Sequence, residues 1–135
     1  MADQQRPEMS DAEREVLKAL WDYGPQTVRE VLERLAAQGQ EWTRSTVITL
    51  LQRLERKGYV DSDKSQFAFV FRAAVSREEV MHSRMVELAE EYSQGDAVPL
   101  LLAFAERHRF SAAEIERFRK LIDEIEAKRR KRGSR

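Results

Sequence analysis

The segment WTRSTVITLLQRLERKGYV, residues 42–60, has an aliphatic side and a polar side with almost no acid. Its aliphatic residues follow the i, i+3, i+4, i+7 spacing of one helix face. They are Val47, Leu50, Leu51 and Leu54. A turn of about 100° per residue places a polar set opposite: Ser45, Thr49, Gln52 and Arg56, flanked by Arg44, Thr46, Ile48 and Arg53. The segment therefore predicts an amphipathic helix, with Thr43 as N-cap and Gly58 as C-cap.

Length and composition limit the classes of protein to consider. The 135 residues suffice for one compact domain or two small modules. The absence of cysteine excludes disulfides and thiolate metal sites. No apolar run approaches the roughly 18 residues of a membrane span, and the N-terminal MADQQRPEM lacks the apolar stretch of a signal peptide. We therefore expect a cytoplasmic protein without membrane insertion.

The charges are unevenly distributed along a chain whose net charge is zero. Basic residues outnumber acidic ones six to three in 43–75 and nine to five in 111–135, and the two other segments, 1–42 and 76–110, are acidic. The chain as a whole does not repel an anionic polymer, and two of its segments can attract one. The run KRRKR, residues 128–132, is either a flexible phosphate-binding arm or a solvated helix end favoured by the helix dipole; we prefer the second.

Four capping boxes indicate where helices begin. In this motif a Ser or Thr and a Glu three residues later satisfy each other's free backbone donors. The pairs are Ser10/Glu13, Thr27/Glu30, Ser76/Glu79 and Ser111/Glu114. The first two open helices over about 11–23 and 28–38, and the first of these helices should bury Trp21.

A β-hairpin is expected after the quoted helix. Residues 59–60 and 67–72 are rich in β-branched and aromatic side chains, and a polar DSDKSQ turn lies between them. The period of two puts Phe67, Phe69 and Phe71 on one face, which should dock the hairpin onto the helices. Three short helices and a hairpin predict a mainly α protein whose residues 1–75 form a winged helix-turn-helix domain.

The polar face of the quoted helix has the residue types that read duplex DNA. Arg bonds guanine, Gln pairs with adenine, and Ser and Thr adapt to either base. We expect base contacts from the N-terminal part of the helix, namely Arg44, Ser45, Thr46 and Thr49. Phosphate contacts are expected from Arg53, Arg56, Lys57 and, on the wing tip, Lys64. The alternative is a solvated helix face and an exposed turn.

The second half, residues 76–135, has the spacing of helix-packing seams. A three-helix unit of this size cannot easily bury all of that apolar surface against itself, so we expect a symmetric dimer. The alternative is a bundle folded onto the first module. The residues expected in dimerisation are Met81, Met85, Leu88, Tyr92, Leu101, Phe104, Ile115, Phe118 and Ile122.

The sequence resembles the BlaI/MecI/CopY family of bacterial winged-helix repressors, the penicillinase repressors. The resemblance rests on ALWDYGPQTVREVLERL, on the T-V-x-T-L-L-x-R-L-x-x-K-G pattern from Thr46 to Gly58, and on FVFRAAVSREEV. It implies a homodimer that binds a palindromic double-stranded DNA operator and represses transcription. By position, the base-contact residues named above fall where the family's recognition helix meets the major groove. A proline common before the V-S junction is missing here, where residues 72–74 read Arg-Ala-Ala.

The resemblance also implies possible signals. The copper-responsive branch uses C-terminal cysteine pairs, and this chain has none. The β-lactam-responsive branch is cut by a membrane-bound sensor protease at an Asn-Phe pair in the dimerisation module. The matching position here reads Ala103-Phe104, so cleavage there is a hypothesis, and the alternative is that Phe104 is simply a core residue.

Other classes of function have weaker support. The two histidines, His82 and His108, stand in no metal-ligand spacing, and no glycine-rich phosphate loop occurs. We therefore expect no enzyme, no metal site and no cofactor. The alternative functions are a winged-helix module that binds protein, which tends to lose the arginines of helix three, and a regulator that senses a small ligand directly.

Overall fold

The computed structural model describes residues 6–133, and it is mainly helical, as predicted. The elements in chain order are α1 (Asp11–Tyr23), β1 (Gln26–Thr27), α2 (Val28–Ala37), α3 (Arg44–Lys57), β2 (Val60–Asp63), β3 (Val70–Ala73), α4 (Arg77–Ser93), α5 (Ala97–Arg107) and α6 (Ala112–Gly133). The chain divides into two compact units between Glu87 and Leu88. None of the helices among the described residues is long and apolar enough to cross a membrane.

All four predicted capping boxes are formed. In the box that opens α1, the Ser10 hydroxyl accepts from the Glu13 backbone N–H at 3.1 Å, and the Glu13 carboxylate accepts from the Ser10 backbone N–H at 2.9 Å. The same reciprocal bonds open α2, α4 and α6. Local sequence therefore sets these four helix starts, because each box satisfies two backbone donors that a helix leaves free.

The core of the first unit lies where the aliphatic stripes of α1, α2 and α3 meet. Its fully buried side chains include Leu17 of α1, Leu35 of α2 and Leu51 and Leu54 of α3. The predicted stripe of α3 is confirmed, since all four of its aliphatic residues are buried. The outer side of α3 is left free because each helix has one stripe to bury.

Gly58 ends α3 as predicted. Its φ of 90° lies in the left-handed region, which glycine adopts at little cost. Its backbone N–H donates to the carbonyls of Leu54 and Glu55, and the following Tyr59 N–H also donates to Leu54. This cap turns the chain sharply from α3 into β2, so the hairpin that follows stays beside the helix.

The hairpin carries a third strand that the sequence did not predict. The sheet order is β1-β3-β2, and both pairings are antiparallel. Gln26 of β1 pairs with Phe71 of β3, and Ser62 of β2 pairs with Phe71 from the other side. Two residues are too few for a period to be recognised, which explains why β1 is invisible in the sequence. β1 ties the wing to the start of α2.

The expectation that three phenylalanines dock the hairpin is wrong for two of them. Phe71 is buried, whereas Phe69 is 45% exposed and Phe67 is fully exposed. β3 begins at Val70, so residues 67–69 belong to the turn, where side chains do not alternate between two faces. Of the three phenylalanines, Phe71 alone packs into the core, where Val60 of β2 is also buried.

The first turns of α4 belong to the first unit. Val80 packs against its core, and Arg77 pairs with Asp22 of α1 at 2.6 Å while lying over the Trp21 ring. The Trp21 indole N–H donates to the Val75 carbonyl at 2.9 Å. The sequence placed the domain boundary between residues 75 and 76. These contacts explain why the compact unit extends further, into the middle of α4.

The second unit leaves most of its apolar surface uncovered. Ala89 is its one buried residue among those that the structure describes. A small aromatic cluster joins the end of α5 to α6, where Phe110 meets Phe118 edge to face at 5.0 Å and His108 stacks on Phe104 at 5.0 Å. The basic run 128–132 lies within α6, so it continues the helix.

Candidate nucleic-acid interface

The outer face of α3 gathers most of the predicted DNA contacts on one exposed surface, which we call the recognition face. All of its members are exposed: Arg44, Ser45, Thr46, Thr49, Gln52, Arg53 and Arg56. α3 holds this face outward because its opposite stripe is buried in the core of the first unit. The first turn of α3 contains no acidic residue.

Hydroxyl groups order the N-terminus of α3. The Thr43 hydroxyl accepts from the Thr46 backbone N–H at 3.2 Å and donates to the Thr46 hydroxyl at 3.0 Å. It also lies 3.2 Å from the Ser45 hydroxyl. The positive end of the helix dipole lies at this turn, where it favours anions such as phosphate. The first turn of α3 therefore combines hydroxyl groups, which can donate or accept hydrogen bonds, with an electrostatic field that favours anions.

The arginines of the recognition face are little used by the protein itself. Among residues 6–133, neither the Arg44 nor the Arg56 side chain makes a hydrogen bond or an ion pair. The positive charge of Arg53 helps to lower the pKa of Glu13, and its side chain likewise has no hydrogen bond or ion pair among these residues. Each guanidinium keeps its fork of donors for planar acceptors such as guanine or for phosphate oxygens.

A groove of about 710 Å³ separates α3 from the wing, the hairpin formed by residues 60–73. Arg44, Ile48 and Gln52 line it from α3, and Lys64 and Phe67 line it from the wing. Arg29, from the first turns of α2, also lines the groove, and sequence reasoning did not include it. An exposed arginine next to a helix cap is too common in sequences to indicate a DNA contact by itself.

Lys64 is held next to α3 instead of projecting freely from the wing. Its ammonium lies 3.7 Å from the Glu55 carboxylate and 6.0 Å from the centre of the Phe69 ring. The Ser62 hydroxyl also donates to Glu55, at 2.6 Å. Glu55, the one acidic residue of α3, is thus paired with side chains of the wing. Lys64 remains 57% exposed at the edge of the groove.

The structure does not bring Lys57 to the recognition face. Its ammonium donates to the Glu13 carboxylate at 2.7 Å and to the Glu8 carbonyl at 2.7 Å. Burial alone would raise the pKa of Glu13, but hydrogen bonds from Lys57 and Ser10 and the nearby positive charges outweigh it and lower the pKa. Lys57 fastens the last turn of α3 to α1. No local pattern predicts this pairing, because the partners lie 44 and 49 residues away.

The residues predicted for dimerisation divide between the two units. Met81 and Met85 lie on the first unit, where they line an apolar surface beside Trp21. The others lie on the second unit, and all of these except the half-buried Leu88 are exposed: Leu88, Tyr92, Leu101, Phe104, Ile115, Phe118 and Ile122. Exposure ranges from 39% for Ile115 to 81% for Tyr92.

The pair named as a possible cleavage site lies within α5. Ala103 and Phe104 are exposed, and Phe104 stacks on His108 one turn further along. Because the pair is helical, α5 must unwind locally before a protease can bind the chain in an extended form.

Comparison with known proteins gives a consistent result over most of the chain. A model of the penicillinase repressor family matches residues 9–124. The transcriptional regulator BlaI of Mycobacterium tuberculosis is 35% identical over 121 residues, which cover 88% of this chain and 86% of that protein. The penicillinase repressor of Bacillus licheniformis is 26% identical over 118 residues, which cover 87% of this chain and 91% of that protein.

A solved structure resembles part of the chain. It is the solution structure of the Bacillus licheniformis BlaI monomer in complex with the blaP half-operator. It covers 56% of this chain and 90% of its own, with 31% sequence identity and a TM-score of 0.47.

Proposed function

The chain belongs to the penicillinase repressor family of DNA-binding transcriptional regulators, and we propose that it represses transcription as a homodimer bound to a palindromic operator. In each protomer the recognition face of α3 enters the major groove. Arg44, Ser45, Thr46 and Thr49 contact bases, and Arg53, Arg56 and Lys64 contact phosphates. Lys57 takes no part in DNA contact, since its ammonium is already bonded to Glu13.

The recognition face is the observation that carries this proposal. Three exposed arginines, two threonines, a serine and a glutamine share one side of a helix whose single acid, Glu55, is matched by Lys64. A merely solvated face would be expected to mix acids and bases along its length. A side with only basic and neutral polar groups complements a polyanion and provides the donors that base edges accept.

The uncovered surface of the second unit supports the dimer. Apolar side chains on α5 and α6 remain about half exposed, among them Phe104, Phe118 and Ile122. A single chain does not normally leave so much contiguous apolar surface in water, and a second copy can cover it symmetrically. Two recognition helices about 34 Å apart then read successive turns of one DNA face. Coupling the two sites raises affinity through effective concentration.

The proposed function assigns the protein a binding role and no catalysis. A repressor needs only to occupy its operator, so it works in the compartment that holds DNA, which we infer to be the cytoplasm. No group of three or more potential metal-ligating His, Cys, Asp or Glu side chains occurs among the described residues.

Derepression is proposed to follow from a cut between Ala103 and Phe104 by a membrane-bound sensor protease. A break in the middle of α5 would separate parts of one apolar surface and so weaken the dimer. Purified dimer incubated with an activated sensor should give two fragments whose new ends lie between Ala103 and Phe104. Loss of operator binding while the chain stays whole would contradict this route.

The proposed function is tested by selecting duplexes from a randomised pool with the full-length protein at low salt. We expect one palindromic sequence to be enriched, with a protein dimer bound to each duplex. Measuring affinity over a range of salt concentrations then separates phosphate contacts from base contacts. Failure to retain any duplex would refute the proposal, and so would equal affinity for selected and random DNA.

A further inference from the structure

The tip of the wing carries an aromatic side chain that does not contribute to the core. Phe67 is fully exposed and its neighbour Phe69 is 45% exposed, although Phe71 of the same hairpin is buried. A single exposed apolar residue needs no explanation. Here two rings line the same groove as Arg44 and Gln52 of the recognition face. An apolar tip that is continuous with a DNA-binding face points to a contact with the same duplex.

Charge indicates what kind of contact the wing makes. Its basic residues, Lys64 and Arg72, are balanced by Asp61 and Asp63. Asp63 is a surface carboxylate, ionised at neutral pH like any aspartate, and hydrogen bonds from Ser65 lower its pKa further. Lys64 is partly neutralised by Glu55 as well. A wing without net positive charge gains little from phosphates beyond the one contact proposed for Lys64. The apolar ring at its tip offers the wing a further means of attachment.

We propose that Phe67 acts as a wedge that inserts into the minor groove beside the major groove occupied by α3, and partly unstacks one base step. This inference rests on the proposed function, because it requires the recognition face to be docked on the duplex. Apolar side chains used in this way by other proteins kink DNA and widen the contact surface. In the dimer, each half-site receives one wedge.

The wedge has a consequence for sequence preference. Unstacking costs least at pyrimidine–purine steps, which are the flexible steps of DNA. The selected operator should therefore carry a TA or CA/TG step where each wing tip meets the duplex, although Phe67 offers no hydrogen bond to read it. Substitution of that step by a stiff A-tract should weaken binding to the wild type and leave binding to a Phe67→Ala variant unchanged.

The test uses the full-length protein and the duplex selected with it, labelled with fluorophores at both ends. Energy transfer reports the bend, and titration reports the affinity. Phe67→Ala should bind about tenfold more weakly, as expected for loss of one aromatic–base contact, and should lose a kink on the order of 20° or more at each wing. Phe67→Leu should keep most of the kink, because leucine also serves as a wedge. Gln66→Ala is the matched control on the same turn and should behave as the wild type.

Three results would overturn the wedge. One is a Phe67→Ala variant that binds and bends the duplex as the wild type does, in which case the proposed function stands without the wedge. Another is a changed sedimentation profile of the free variant, since the ring would then cover a protein surface. The third is failure of the wild type to select any duplex, which would remove the proposed function together with the wedge.

Discussion

At the scale of single residues, Lys57 and Arg56 are neighbours on one helix that have different roles. Arg56 is exposed and unpaired among the described residues, whereas Lys57 reaches the buried carboxylate of Glu13. Glu13 also completes the capping box of α1. One carboxylate thus holds the start of α1 and the end of α3 together, which fixes the position of the recognition face relative to the core.

Glu13→Gln should lower the free energy of unfolding by on the order of 3 kcal/mol, because it leaves the Lys57 ammonium without its counter-charge. A glutamine still accepts in the capping box, so the cap itself is retained. Urea unfolding at neutral pH measures the loss. Glu30→Gln is the control, since Glu30 completes an equivalent box on α2 without a lysine partner and should change stability by less than about 0.5 kcal/mol.

The same pair predicts a pH dependence. The pKa of Glu13 is lower in the folded protein than in the unfolded chain, so its contribution is fully present above the ordinary glutamate pKa. It is lost as the pH falls through the lowered folded value. Unfolding free energy measured against pH should therefore fall less steeply in this acid range for Glu13→Gln than for the wild type. Parallel curves for the two proteins would contradict the pairing.

Arg44→Ala should weaken operator binding by about 1–3 kcal/mol and relax the preference at one base pair, if Arg44 reads a guanine. Arg56→Ala is the comparison, because loss of a phosphate contact should weaken binding to all duplexes alike and reduce the salt slope by about one unit. Titrations with the selected duplex and with random DNA separate the two. Equal losses on both duplexes for Arg44→Ala would refute its role in reading bases.

At the scale of elements, the wing is held by two buried side chains, Val60 of β2 and Phe71 of β3. β3 pairs with both β1 and β2, and the three strands meet at Val70 and Phe71. An isolated hairpin is marginal in water, so these two side chains and the short strand β1 attach the wing to the helices. The tip of the wing is then free to serve the DNA surface.

Phe71→Ala should therefore destabilise the first unit by about 3–5 kcal/mol, the usual cost of removing a buried phenylalanine ring. Phe67→Ala should change stability by less than about 0.5 kcal/mol, since its ring is fully exposed. Chemical denaturation of both variants makes the comparison. Similar losses for the two would mean that the wing tip is packed in solution.

At the scale of the whole molecule, the two units differ in how much of their own surface they bury. The first unit has a closed core of buried aliphatic residues, and the second has Ala89 alone among the described residues. The first is therefore expected to hold its fold within one chain. The second is expected to need a partner copy, so that dimerisation and folding of α5 and α6 are linked.

Ile122→Asp should convert the dimer to a monomer, because it places a charge in the middle of the proposed interface of α6. Operator affinity should fall about a hundredfold or more as the coupling between two half-sites is lost. Sedimentation and titration measure the two effects. Glu124→Gln, an exposed polar substitution on the same helix, should change neither. An unaltered sedimentation profile for Ile122→Asp would reject α6 as part of the interface.

The sequence alone determined the features that depend on neighbouring residues. These features are the four capping boxes, the aliphatic stripe of α3 and the cap at Gly58. Each depends on groups within a few positions of one another, so local geometry is enough to determine it. The composition of the recognition face follows from the same period of 3.6 residues. These features were sufficient to predict the winged-helix class and the residues on the outer side of α3.

Only the tertiary structure decided which side chains are buried in the core and which remain exposed. Lys57 pairs with a residue 44 positions away, β1 joins the sheet through a register with β3, and Phe67 falls just before the strand that would have turned it inward. Each outcome depends on groups distant in sequence that meet only when the chain is folded. A period read along one segment carries no information about them.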